Sequence, residues 1–127
     1  MAGEPGGLTE LAALLREMRP VLHDIPYDFR VAATDTPPPA KAFALIREPE
    51  GLTILAEDAC GDWARISLSV HSSLSAVGLT AAFARALADD GISCNTIAGF
   101  HHDHLFVPWH RRHEAMIALI RLSEQNP

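Results

Sequence analysis

The spacing of apolar positions divides the chain into stretches of period two and stretches of helical period. From Ala64 to Val70, Ala, Ile, Leu and Val occupy every second position, while Arg65, Ser67 and Ser69 take the other face. That alternation predicts a strand with one face on a core, within a longer stretch from Trp63 to His71. Leu74 to Asp90 then changes to helical spacing. Leu74, Val77, Phe83 and Leu87 supply bulk, and Gly78 with the alanines at 81, 82, 84, 86 and 88 keeps the helix narrow enough to pack on a sheet. Ser72 and Ser73 stand where it begins and are favoured N-cap residues, and Gly91 closes it as the residue after the C-cap. Ile92 to Ala98 alternates again, Leu105 to Val107 is a short return strand before Pro108, and His110 to Ser123 is a last helix carrying Met116, Ile117, Leu119, Ile120 and Leu122. The resulting order is β-α-β-β-α. A fourth strand supplied from elsewhere in the chain completes the ferredoxin-like α+β plan, an antiparallel sheet with helices on one face.

The first part of the chain supplies strands for that sheet or for a second one. Thr9 can cap a helix whose stripe runs Leu11, Leu14, Leu15, Met18 and Leu22, with Pro20 marking its end or a kink. Tyr27 to Ala33 alternates as a half-buried strand should. The segment DTPPPA, Asp35 to Ala40, cannot continue a ladder and reads as an exposed linker. Ala42 to Arg47 and Leu52 to Glu57 are two further strands, joined through Glu48-Pro49-Glu50-Gly51, whose Pro and Gly suit a tight turn. Polar residues from Asp58 to Asp62 mark a boundary near residue 60. The expected division is residues 1–60, a helix and three strands, and residues 61–127, the β-α-β-β-α unit. Met1 to Gly7 is rich in Gly and Pro and is expected to be frayed.

Composition narrows the partners. The 127 residues suit one domain or two small halves sharing a core, and 48% apolar with 20% charged residues is globular. A formal charge of −6 with ten Lys and Arg gives no basic face for phosphates, which argues against nucleic acid. No apolar run approaches the ~20 residues of a membrane span, and the N-terminus lacks a signal pattern, so a cytoplasmic address is the default. Cys60 and Cys94 form no CxxC pair; Cys94 reads as a small buried hydrophobe and Cys60 as a loop thiol.

Several polar residues carry candidate chemistry. A helix opening near Leu74 would present amides without intrahelical acceptors, and its dipole would favour a ligand carboxylate beside Ser72 and Ser73. Without a ligand, the same serines are an ordinary cap with water on the remaining amides. Asp103 could meet a ligand ammonium or guanidinium, and Asn95 could fix its orientation; otherwise they are a turn aspartate and an edge amide. Along an extended chain His102 and His104 share one face, His101 and Asp103 the other. His101, His102 and His104 are the candidates for a metal, with His71, His110 or His113 to complete the ligand set; the competing reading is hydrogen bonding near a turn. Ser72, His102 and Asp103 could be written as a catalytic set, but G-x-S-x-G, a Gly-rich phosphate loop and HExxH are all absent from the sequence. No enzyme and no cofactor are expected.

The run from Ile66 to Gly99, a strand, a serine-capped helix and then DGISCNTIAG, resembles an ACT domain. More specifically, VHSSLSAVGL followed by GISCNTIAGFHHDHLFVP, with FALIREPEGLTIL before them, resembles a family of small bacterial proteins of two ACT-like halves and no assigned function. The HDHLFVP end is similar to ACT repeats of animal cytosolic arginine sensors. The likeness spans Phe43 to Arg121. It implies a regulatory, ligand-sensing module, assembled as a homodimer and binding a small metabolite such as an amino acid at the first strand–helix turn. On this chain that turn is His71, Ser72, Ser73 and Leu74. The histidine cluster departs from the general ACT pattern. A ligand-free oligomerisation module and a histidine-based metal binder are the alternatives.

Overall fold

The computed structural model describes residues 9–126. The frayed start expected over Met1 to Gly7 lies outside them. In chain order the elements are α1 (Leu11–Arg16), β1 (Pro20–Leu22), β2 (Tyr27–Ala32), β3 (Ala44–Glu48), β4 (Gly51–Glu57), β5 (Trp63–Leu68), α2 (Leu79–Asp89), β6 (Asn95–Ala98), β7 (Asp103–Pro108), a 3-10 turn at Trp109–Arg111, and α3 (Arg112–Glu124).

Helix α1 is shorter than its apolar stripe suggests. Glu10, not Thr9, caps it, its carboxylate accepting from the amides of Ala12 and Ala13 at 3.1 and 2.9 Å. Pro20 has no N–H to give a helix and disfavours helical torsions in the residue before it. Arg19 accordingly turns to φ 42°, and the chain leaves the helix as a strand. Leu22, placed on the helix stripe from its spacing, is in β1. Its side chain still packs against the same core.

That strand is the missing fourth member of the ferredoxin-like plan. β1 pairs antiparallel with β5 (Pro20↔Leu68, Val21↔Ser67, Leu22↔Ile66), β5 pairs with β7, and β7 with β6. The order β1-β5-β7-β6 carries α2 and α3 on one face. Leu79, Phe83 and Leu87 of α2 and Ala115, Ala118 and Leu119 of α3 bury against Ala64, Ile66, Leu68, Leu105 and Val107 of the sheet. Leu14, Leu15 and Met18 join that same core. α1 and β1, which lie before residue 60, thus join the sheet and the core of the elements that follow it.

The remaining strands make the sheet curl. β2 touches β5 only at Tyr27↔Trp63, then diverges to pair with β4 over six residue pairs from Tyr27↔Glu57 to Ala32↔Leu52. β4 pairs in turn with β3. The whole is one antiparallel sheet of order β3-β4-β2-β5-β7-β6 with β1 on β5. The diverging strands fold across the helix-free face, where Tyr27, Leu55 and Phe106 form a second cluster with Phe29, Phe43, Trp63 and Ile97 around it. Phe106 is the hub, its ring lying edge-on to Tyr27, Phe29 and Phe43 at 5.5, 6.0 and 5.7 Å between centroids.

Helix α2 ends as its sequence requires. Gly91 adopts φ 70°, its amide donates to the Ala88 carbonyl, and the Ile92 amide donates to the Leu87 carbonyl, both at 2.9 Å. This double closure is the Schellman pattern, whose left-handed residue favours glycine. Among the described residues, no helix is long and apolar enough to cross a membrane.

Candidate ligand site at the start of helix α2

The loop between β5 and α2 is built differently from the serine-capped helix start expected there. After Leu68 the chain is pinned to the α1–β1 corner, the Ser69 amide donating to the Met18 carbonyl at 2.8 Å and its hydroxyl to the Arg19 carbonyl at 2.7 Å. The Ser73 hydroxyl accepts from the Ser75 amide at 3.0 Å, and the Ala76 amide donates to the Ser73 carbonyl. Ser73 thus closes a local turn rather than capping a helix. Leu74 and Val77, counted as helix bulk from their spacing, are 67% and 83% exposed.

The helix begins at Leu79. Its N-cap is Gly78 at φ 102°, a conformation that glycine adopts without steric cost, and no side chain caps it. There is also no acidic residue in its first turn. The first-turn amides consequently lack both intrahelical acceptors and a side-chain substitute, leaving an electropositive end.

This end opens into a pocket of about 180 Å³. Ser72, Ser73 and Leu74 form one wall, Gly78, Leu79 and Thr80 another, and Ala98, Gly99 and Asp103 the third. Asp103 is the first residue of β7 and pairs with Ala98. Burial pushes its carboxyl pKa up, with His102 and the Ser72 hydroxyl acting in the opposite sense. The arrangement sets a half-buried carboxylate facing the positive end of a helix, with a small space between them.

Four residues singled out from the sequence, Ser72, Ser73, Leu74 and Asp103, meet in this pocket. His71 does not line it: its ring packs 5.9 Å from Phe100 and 5.1 Å from His101, and its Nε2 is buried without a partner. Asn95 is exposed at the far end of β6, opposite Phe106, away from Asp103. Gly78, Thr80, Ala98 and Gly99 were not picked out by sequence reasoning. The only available signal was Gly78 itself, since glycine is also an accepted N-cap. Among the described residues, no three His, Cys, Asp or Glu side chains stand together as a metal site. His101 lies near His71, while His102 and His104 line a groove on the helix-free face. Both cysteines are free; Cys60 is exposed, and burial raises the Cys94 thiol pKa against a lowering contact from Thr96.

Comparison with known proteins places this geometry in a family. Two ACT-domain family models match, one over residues 6–70 and the other over residues 61–121. The chain belongs to the ACT-domain family, whose members are generally regulatory, ligand-binding modules rather than catalysts. The matches overlap at residues 61–70, which contain β5, the strand at which the two parts of the sheet meet. A Vibrio cholerae protein of unknown function, VC0802, described as a possible transport protein, is 37% identical with a TM-score of 0.74, the match covering 89% of this chain and 95% of that one. The Agrobacterium tumefaciens protein Atu0741 shares the fold at 17% identity and a TM-score of 0.61, over 76% of this chain and 82% of that one. No curated protein matches.

Proposed function

We propose that this protein is a non-enzymatic regulatory module that binds a free amino acid in the pocket between the start of α2 and Asp103. The observation that carries the reading is the pairing of opposite polarities across one small space. Uncapped amides of α2 suit the ligand carboxylate, and Asp103 suits its ammonium or a cationic side chain through a charge-assisted hydrogen bond. A zwitterion satisfies both walls at once. The volume of about 180 Å³ lies below the roughly 300–1,000 Å³ of drug-sized pockets, which matches a ligand of amino-acid size.

Assembly as a homodimer belongs to the same reading. Leu74, Val77 and Phe100, in the loops flanking the pocket, are 67%, 83% and 55% exposed. Large side chains held in water beside a ligand pocket suit a lid provided by a second copy.

A thermal-shift screen of the twenty amino acids tests the function. A ligand at a hundred times its Kd stabilises by about 2.7 kcal/mol, a shift of several degrees for a domain of this size. The expected result is a shift with one amino acid or one related group, lost in Asp103→Asn. No shift with any of them at millimolar concentration would remove the proposal.

A further inference from the structure

The helix-free face of the sheet holds a second groove, on the opposite side of the sheet from the helix start and unused by the reading above. Alternation along β5 and β7 puts Arg65, Ser67 and His104 on this face, while Asp103 belongs to the pocket on the other. Val21 of β1 lies beside Ser67. His23, just after β1, and His102, just before β7, line the same groove of about 350 Å³ together with Leu68 and Ser69. The strands that curl over the sheet stop short of it: Phe43 packs at 4.9 Å from the His104 ring and leaves the rest open.

Arg65 is the unusual member. Its guanidinium stacks on Phe43 at 4.2 Å from the ring centroid, and its Nη1 donates to the Tyr27 hydroxyl at 2.8 Å. Among the described residues no carboxylate lies within ion-pair distance of it, and its Nε has no partner. Holding a guanidinium half-buried without a counter-ion is costly, and here it is fixed in place rather than left to swing into water. Next to it the Ser67 hydroxyl joins two imidazoles, at 2.8 Å from His23 Nε2 and 2.9 Å from His104 Nδ1. His102 Nδ1 is buried without a partner.

We infer that this groove is a second ligand site, taking the carboxylate or phosphate group of a small anionic metabolite against Arg65, Ser67 and His104. Arginine's planar fork is the side chain best shaped for such oxyanions, and the stack on Phe43 presets its plane. The same positive charge opposes a divalent cation, which separates this groove from an imidazole-built zinc site. Burial first, then Arg65, hold the His104 pKa down to about 4, with His102 and His23 adding to the effect. His23 is lowered by burial and Arg65, with Asp24 and Glu57 opposing. A bound anion reverses the sign of the local field, so occupancy raises both imidazole pKa values and binding strengthens as pH falls from 7 toward 5.

Imidazole NMR on the full chain reads this directly. Inorganic phosphate and succinate are titrated separately at constant ionic strength against chloride, at pH 6.5, following His23, His102 and His104. Saturable shifts with phosphate alone assign a phosphate ligand, with succinate alone a carboxylate, and with both a general oxyanion site. Arg65→Gln is expected to raise the apparent Kd at least tenfold, whereas Arg85→Gln, an equal charge change on exposed α2 surface, leaves it within twofold. Ser67→Ala, which keeps the fold's packing, provides the same reading should Arg65→Gln not fold. Shifts that grow linearly with both anions, or an unchanged Kd in both Arg65→Gln and Ser67→Ala, would overturn the inference.

Discussion

Asp103 and His104 are neighbours that the pleat sends to opposite faces, and burial disfavours the charged form of each. For Asp103 the shift is upward: the folded state binds its proton more tightly than the unfolded state, so the ionised carboxylate weakens the fold at neutral pH and acid relieves this. Asp103→Asn is therefore expected to leave the ligand-free melting temperature unchanged or higher at pH 7, while abolishing amino-acid stabilisation. A variant that melts lower in both states would point to a purely structural aspartate. For His104 the shift runs from 6.5 down to about 4. Between these values the unfolded chain binds more protons than the native one, so the associated stability is complete above about pH 6.5 and is lost as pH falls toward 4. Urea midpoints measured from pH 7.5 to 4.5 should fall less steeply in His104→Gln. His23, also lowered, contributes a residual slope of the same sign.

At the scale of elements, the short helix α1 shows how packing overrides propensity. Six residues are too few to hold a helix in water alone. It persists because Leu14 and Met18 are fully buried against the sheet and helices, and because the Ser123 hydroxyl at the end of α3 donates to the Arg16 carbonyl. The curled strands depend on a smaller cluster centred on Phe106. Phe106→Ala should cost about 3–5 kcal/mol, a large share of the roughly 5–15 kcal/mol of a typical domain. Hydrogen exchange should accelerate first at the amides of β2 and β4, before those of α2 and α3. Uniform acceleration would mean that the two clusters melt as one unit. Much at this scale was legible in the sequence. The alternation of Ala64 to Val70, Pro49 of the β3–β4 turn and Gly91 gave their elements because each acts through its own local torsions. Gly51 is instead held to glycine by the Ala32 carbonyl oxygen of β2, 2.7 Å from where a Cβ would stand. The start of α2 was not legible: Leu74 and Val77 keep helical spacing, but only the path of the loop over the sheet shows that they point into water.

For the molecule as a whole, the sheet is shared. Residues 61–127 carry five elements of a ferredoxin-like unit, β5, α2, β6, β7 and α3, yet its edge strand β1 and the side chains of Leu14, Leu15 and Met18 come from the first part of the chain. A fragment of residues 61–127 is expected to lack a fixed core, with poor amide dispersion by NMR, whereas the full chain is well dispersed. A well-folded fragment would show that α1 and β1 are accessory. The pocket at α2 was half legible for the same reason. Ser72, Ser73 and Asp103 carry recognisable polar chemistry, but Thr80, Ala98 and Gly99 enter it only through the pairing of β6 with β7 and the point at which α2 starts.

The sequence by itself determined which stretches alternate, where the β3–β4 turn and the end of α2 fall, and that the second part of the chain follows a β-α-β-β-α order. Those properties reside in neighbouring residues and their periods. Only the tertiary structure decided that Pro20 to Leu22 supplies the fourth strand, that the helix start and Asp103 face each other across one small space, and that Arg65, His23 and His104 share a groove. Each of these joins residues tens of positions apart, and their meeting is fixed by strand pairing and sheet curl, which no local pattern encodes.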